Sequence, residues 1–137
     1  MKTFKLNIYA ADKTFFTGDA VSLVVPLSEG QYGIMAHHSN LIGALIPGKL
    51  KFTTEDGKEH YAAVSGGLVK AEKGEVLILS ETIEAPEEID AKRAEEQLQR
   101  AREEILHKQS LREHKDAERK IAKALSRLRV KKLETKN

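Results

Sequence analysis

The stretch Ile89-Asp90-Ala91-Lys92-Arg93-Ala94 follows Pro86, the last proline of the chain, and opens a segment with helical periodicity. Asp90 suits an N-cap, because its carboxylate accepts backbone N–H groups that a helix's first turn leaves without partners. Ile89 and Ala94 then fall at the two positions of a hydrophobic staple, a weak one because alanine offers a single methyl. Arg93 does not fit a cap. It stands where a capping box uses Glu or Gln, and where the helix dipole disfavours a cation by roughly a few tenths of a kcal/mol. Glu95 or Glu96 could screen it, and the chemistry open to such a residue is to hold an anion. Arg100 lies seven residues on and shares its helix face, and Lys123 and Arg127, four apart, share a face of a later helical run.

Other residues of chemical interest lack the spacing that chemistry needs. His37 and His38 are adjacent, so in an extended strand they point to opposite faces and cannot chelate one metal. His60, His107 and His114 make no recognisable ligand spacing. Pro47-Gly48-Lys49 lacks the upstream glycine and the following Ser/Thr of a phosphate-binding loop. Ser65-Gly66-Gly67 is not a nucleophile elbow, since a strand rather than a helix follows it. Its glycines mark a bulge or a close backbone approach. No catalytic constellation emerges, and neither a catalytic residue nor a metal site is expected.

The elements that would position these residues fall into two unlike halves. All nine glycines lie at or before Gly74, and all seven aromatic residues at or before Tyr61. Residues 1–86 carry 8 Lys/Arg against 10 Asp/Glu, whereas residues 87–137 carry 15 against 11. Residues 1–85 alternate polar and apolar side chains over short runs, as in Lys5 to Tyr9, and β-branched residues crowd Val21 to Leu27 and Glu75 to Ile83. Turn signals separate the runs at Thr17-Gly18-Asp19, Ser28-Glu29-Gly30, Pro47-Gly48, Glu55-Asp56-Gly57 and Glu72-Lys73-Gly74, the last two as hairpin tips. About eight short strands so spaced predict an all-β sandwich or flattened barrel.

Residues 86–137 predict a two-helix antiparallel hairpin, giving an α+β chain. Ala94, Leu98, Ala101 and Ile105 recur at intervals of 4, 3 and 4, and Ala117, Ile121, Ala124 and Leu128 repeat them. Alanines on both stripes allow close helix approach but bury little apolar surface, so the seam is thin. Ser110-Leu111-Arg112-Glu113 fits a capping box and marks the second helix's start. No glycine or proline forces the turn, so one long helix is an alternative state. The chain contains no cysteine, no apolar run near the roughly 18 residues of a membrane span, and no signal-peptide layout, so a soluble protein is expected.

Taken together, Ser28-Glu29-Gly30-Gln31-Tyr32-Gly33-Ile34, Ala63-Val64-Ser65-Gly66-Gly67 and Ile89-Asp90-Ala91-Lys92-Arg93-Ala94, in this order, resemble the epsilon subunit of bacterial F-type ATP synthases. The resemblance covers nearly the whole chain. It implies a non-catalytic rotor subunit, peripheral at the cytoplasmic face of the cell membrane, in a proton-translocating complex. Its sandwich would contact subunit gamma and the c-ring through Glu29, Gly30, Gln31, Tyr32, Gly33 and His38. Its hairpin would extend to the catalytic alpha and beta subunits and restrain ATP hydrolysis, with Arg112, Arg119 and Arg127 as contact candidates. The compact form would bind ATP as a regulatory ligand. By position, Glu84, Ile89, Asp90, Arg93, Ala94, Arg100, Lys123 and Arg127 carry that site, the cations meeting the triphosphate and Ile89 and Ala94 the adenine. Two positions depart from the family pattern: Gln31 stands for glutamate, and Lys123 for the arginine of the tight binders. Lysine keeps the charge but loses the planar fork that grips phosphate at two points.

Two rival readings compete. A basic helical tail could bind nucleic acid, but 11 acidic residues interleave with its 15 basic ones and no aromatic is available for stacking. A coiled-coil scaffold with no moving part is the other.

Overall fold

The computed structural model describes residues 2–107 and 111–135, with side chains described for 2–104 and 114–133. Nine strands come first: β1 (Phe4–Ala10), β2 (Thr14–Leu27), β3 (Gly30–Met35), β4 (Leu41–Leu45), β5 (Gly48–Thr54), β6 (Glu59–Val64), β7 (Gly67–Glu72), β8 (Glu75–Ser80) and β9 (Ile83–Glu84). A 3-10 turn at Pro86–Glu88 leads into α1 (Ala91–His107), followed by α2 (Leu111–Thr135). This is the sandwich-plus-hairpin architecture that the alternation and the alanine stripes predict. Among the described residues no helix is long and apolar enough to cross a membrane.

Strand order runs β1-β8-β7-β4-β2-β5-β6-β9, with β3 added to β2. The 14-residue β2 joins the layers: its first half pairs with β1 (Leu6↔Gly18), its second with β3 (Val25↔Tyr32) and β5 (Leu23↔Phe52). β1 and β8 run parallel, Leu6 facing Val76 and Ile8 facing Ile78. Every second residue of these strands turns inward, and Leu6, Ile8, Leu23, Val25, Ile34, Leu50, Phe52, Val69, Val76 and Ile78 form the buried core.

The turn at Thr17-Gly18-Asp19 is not one. Gly18 sits within β2, where a Cβ would lie 3.0 Å from the ring of Phe16, so the glycine makes room for an aromatic two residues back on the same face. Gly48 likewise opens β5 beneath Pro26, whose Cβ lies 2.8 Å from where its own would be. The hairpin tips stand as expected: Lys73 (φ 50°) and Gly74 (φ 77°) form the two-residue link between β7 and β8, and Gly57 (φ 83°) closes β5 to β6. His37 and His38 lie in the turn after β3 rather than in a strand, with His37 left-handed at φ 65°.

Ser65-Gly66-Gly67 makes the close approach its glycines predict. Ser65 Oγ accepts the Thr82 N–H at 2.8 Å, Ser80 Oγ donates to the Thr82 carbonyl at 2.8 Å, and both serines are buried. This corner fixes β9, and with it Glu84, against the end of β6 (Ala63↔Glu84).

Among the described residues, α2 packs chiefly on β5 and β6. Ala94, Leu98 and Ala101 on α1 and Ala117 and Ala124 on α2 are buried along the expected seam, while Ile121 and Leu128 are half-buried. The side chains of Ile105 and Arg112, and all of Ser110, lie outside the described residues; α2 begins at Leu111, directly after the expected cap. Among the described residues, the buried apolar cluster between hairpin and sandwich is small: Ala63, Ile89 and Val130 with Tyr61 against them. Ile89 and Val130 contribute about 1.5–3 kcal/mol each by burial.

Polar ties supplement that contact. Lys13 donates to Glu88 at 2.9 Å, binding the β1–β2 turn to the 3-10 turn, and the Glu88 carboxylate also accepts the Ala85 N–H at 3.0 Å. The lysine first, and the amide second, hold the Glu88 carboxyl below its ordinary range.

Candidate functional site

A cleft of about 440 Å³ lies where the hairpin meets the edge of the sandwich. Its walls are Ala63, Val64 and Ser65 at the end of β6, Thr82 and Glu84 at β9, and one face of each helix. On α1 that face is Gln97, Arg100, Ala101 and Glu104; on α2 it is Lys120, Lys123, Ala124 and Arg127. Spacings of three and four put each set on one side of its helix, and the close alanine contacts bring the two sides together.

Arg127 is the centre of the cleft's polar structure. Its Nη2 donates to Glu84 Oε2 at 3.1 Å, its Nε lies 2.8 Å from Glu84 Oε1, and its Nη1 donates to the Gln97 side-chain carbonyl. The Nε contact is close enough for an ion pair but lacks hydrogen-bond alignment, so this buried N–H has no proper acceptor. An unmet buried donor costs about 1–3 kcal/mol. The other α2 cations also have carboxylates nearby: Lys120 reaches Glu104 at 3.1 Å and Lys123 reaches Glu81 at 3.8 Å. Arg100 is exposed and has no ion-pair partner among the described residues.

The structure therefore gathers four of the eight expected nucleotide-site residues, Glu84, Arg100, Lys123 and Arg127, into one cleft. The other four do not line it. Asp90 caps α1, its Oδ1 accepting the Arg93 N–H at 3.1 Å, as its residue type predicts. Ile89 is buried with Ala63 and Val130, and Ala94 is buried in the helical seam, so both side chains are spent on packing. Arg93 is exposed and without an ion-pair partner among the described residues. Gln97, Glu104, Lys120 and Thr82 join the cleft without having been singled out. For Gln97 a signal existed: it stands four after Arg93 and three before Arg100, on their shared face.

The expected contact loop occupies the β2–β3 tip and β3. Glu29, Gly30, Gln31, Tyr32 and Gly33 are all exposed, whereas His38 is half-buried, edge-on to Phe4 at 6.0 Å. His38 Nδ1 sits 3.2 Å from the Ser39 carbonyl, an acceptor that a protonated Nδ1 would serve. On the layer the helices leave uncovered, Ala44, Leu68, Leu79 and Tyr9 form one cross-strand row, beside the row of Ile42, Lys70 and Leu77. Ile42, Leu68 and Leu79 are 72%, 39% and 41% exposed. Of the expected head contacts, Arg119 is exposed beside Asp116 at 4.0 Å and Arg127 is held in the cleft.

Comparison with known proteins gives a consistent answer for both halves. A family model described as ATP synthase, Delta/Epsilon chain, beta-sandwich domain matches residues 3–86, and one described as the long alpha-helix domain of the same chain matches residues 87–132. The ATP synthase epsilon chain of Clostridium novyi is 40% identical over 129 residues, covering 94% of this chain and 98% of its own. That of Ruminiclostridium cellulolyticum is 36% identical, covering 93% and 95%. Among solved structures, a chain of the Euglena gracilis mitochondrial ATP synthase matches with a TM-score of 0.79 at 22% identity, over 97% of this chain and 81% of that one. A chain of the Tetrahymena thermophila mitochondrial ATP synthase central stalk and c-ring matches at 0.72 and 14% identity, over 95% and 97%.

Proposed function

Because the chain belongs to the ATP synthase delta/epsilon chain family, we propose that it is a non-catalytic subunit of the rotor stalk whose hairpin regulates ATP hydrolysis. The sandwich is the stalk-bound body. Its uncovered apolar rows around Ile42, Leu68 and Leu79 suit a stalk partner, subunit gamma, since exposed apolar residues gathered on one sheet face support a protein interface. The exposed Glu29–Gly33 loop, with His38 behind it, suits the c-ring. Through these partners the subunit sits peripherally at the cytoplasmic face of the membrane of a proton-translocating complex.

The hairpin is the moving part. One observation carries this reading: its contact with the sandwich rests on three buried apolar residues and a cleft lined by cations. A thin contact leaves docked and released states close in energy, so a ligand that binds only the docked state shifts the balance by its differential affinity, about 1.4 kcal/mol per tenfold. ATP is that ligand. Arg100, Lys123 and Arg127 lie where a triphosphate can bridge the two helices, and Arg93 extends the cationic face of α1 outward. When the hairpin is released, its basic face, Arg119 and Arg127 included, turns to the catalytic alpha and beta subunits and restrains hydrolysis.

Isothermal calorimetry on the isolated chain tests the ligand. ATP should bind with measurable heat, more weakly than in relatives with arginine at position 123, and Arg100→Ala with Arg127→Ala should reduce the affinity about tenfold or more. Absence of heat from the unaltered chain at millimolar ATP removes the nucleotide from the account.

A further inference from the structure

We infer that Glu84 is an internal anion: its carboxylate occupies Arg127, latches the hairpin to the sandwich, and must give way when a phosphate binds that fork. The inference rests on the reading that the cleft takes a triphosphate, and it reverses the expectation that Glu84 helps to hold one.

Geometry is the first ground. The Arg127 fork faces both Glu84 oxygens, at 2.8 and 3.1 Å, and its remaining nitrogen is taken by Gln97. The carboxylate thus takes the Nε–Nη2 edge of the guanidinium, and Gln97 takes a donor of the remaining nitrogen. Phosphate and carboxylate compete for the same fork, and the loser is left beside a like charge. Glu84 is a poor carrier of phosphate for the same reason, being an acceptor only when ionised.

The second ground is the imperfect fit. Arg127 Nε is buried 2.8 Å from Oε1 without hydrogen-bond alignment, so the carboxylate leaves one of the fork's donors unmet. A phosphate offers more acceptor oxygens on a tetrahedral centre and can meet it. Displacement is therefore possible where a perfect bidentate pair would resist it.

Connectivity is the third. The clasp joins Glu84 on β9, Gln97 on α1 and Arg127 on α2, and so spans every element that must separate when the hairpin leaves. It is also the most sheltered of the ion pairs between described residues, its side chains 17% and 28% exposed, while Lys123–Glu81 is longer and open to solvent. Solvent screens the latter far more. The compact form thus has its own latch, and a bound triphosphate replaces that latch instead of adding to it.

The test uses the full chain and Glu84→Gln, which keeps the side chain's size and removes its charge. Calorimetry with inorganic pyrophosphate and with ATP should show the variant binding about threefold to tenfold more tightly than the unaltered chain. In the absence of ligand, amide hydrogen exchange along α2 should be faster in the variant. Weaker or equal binding by the variant, with binding intact in the unaltered chain, overturns the competitor role and leaves the nucleotide reading standing. Unchanged exchange overturns the latch. If neither chain binds either anion while α2 exchange is faster in the variant, the nucleotide reading and the competition both fall, and the clasp remains as a purely internal tie.

Discussion

Gly67→Ala destabilises the sandwich by about 3 kcal/mol or more, a fall in melting temperature on the order of 10 °C. A Cβ at this position would lie 1.9 Å from the Leu79 carbonyl oxygen and 2.9 Å from both the Leu79 carbonyl carbon and the Ser80 Cα. All three are backbone atoms of β8, so no side chain can rotate away. Gly67 pairs with Ser80 on one side and Leu45 on the other, which places it where β7 is held from both edges. Making room means parting β7 from β8 beside the Ser65–Ser80–Thr82 corner, where buried hydrogen bonds would open as well. Gly33→Ala is the control, because nothing lies within 4 Å of its would-be Cβ. Thermal unfolding followed by circular dichroism decides between them. A Gly67→Ala chain melting within about 2 °C of the unaltered one contradicts the close approach.

Val130→Asp releases the hairpin while leaving the sandwich folded. Val130 is fully buried, in the apolar cluster with Ala63 and Ile89. Its replacement puts a carboxylate into the buried apolar cluster between the two halves, at a cost of about 3 kcal/mol or more. That is comparable to the whole contribution of the cluster, so docking fails. The sandwich core contains neither Val130 nor Ile89 and keeps its own packing. Amide hydrogen exchange separates the two effects: α2 and β6 should lose protection, and β1, β2 and β8 should retain it. Equal protection of α2 in both chains would show that the polar ties hold the hairpin unaided. Loss of protection throughout would show that the two halves fold as one unit.

How much of this was legible in the sequence depends on the range of the interaction involved. Strand alternation, the glycines of the β5–β6 and β7–β8 tips, the Asp90 cap and the alanine seam are local or periodic, and each follows from a few neighbouring residues. The Ser65-Gly66-Gly67 approach could also be inferred, because two adjacent glycines in a strand have few other uses. Gly18 misled because a Gly-Asp pair ordinarily signals a turn; the Phe16 ring on the same face of β2 explains its place there. Ile89 and Ala94 looked available to an adenine because their surroundings depend on Ala63 and Val130 and on the second helix, all distant in sequence. The resemblance set Glu84 and Arg127 in one site, but their direct pairing and the tie to Gln97 could not be read for the same reason. The members of this clasp lie 43 and 30 residues apart, and nothing in their local spacing sets them together. The parallel pairing of β1 with β8, which positions the β8–β9 edge of the cleft, is equally nonlocal.

The central claim is that residues 87–137 form a releasable regulator carried on a self-sufficient sandwich. Its most direct test is the ATP hydrolysis rate of the assembled complex carrying residues 1–86 alone, compared with the same complex carrying the full chain. The truncated subunit should assemble normally, and hydrolysis should rise severalfold. Equal rates in two fully assembled complexes would contradict the claim, and would make the hairpin a structural appendage.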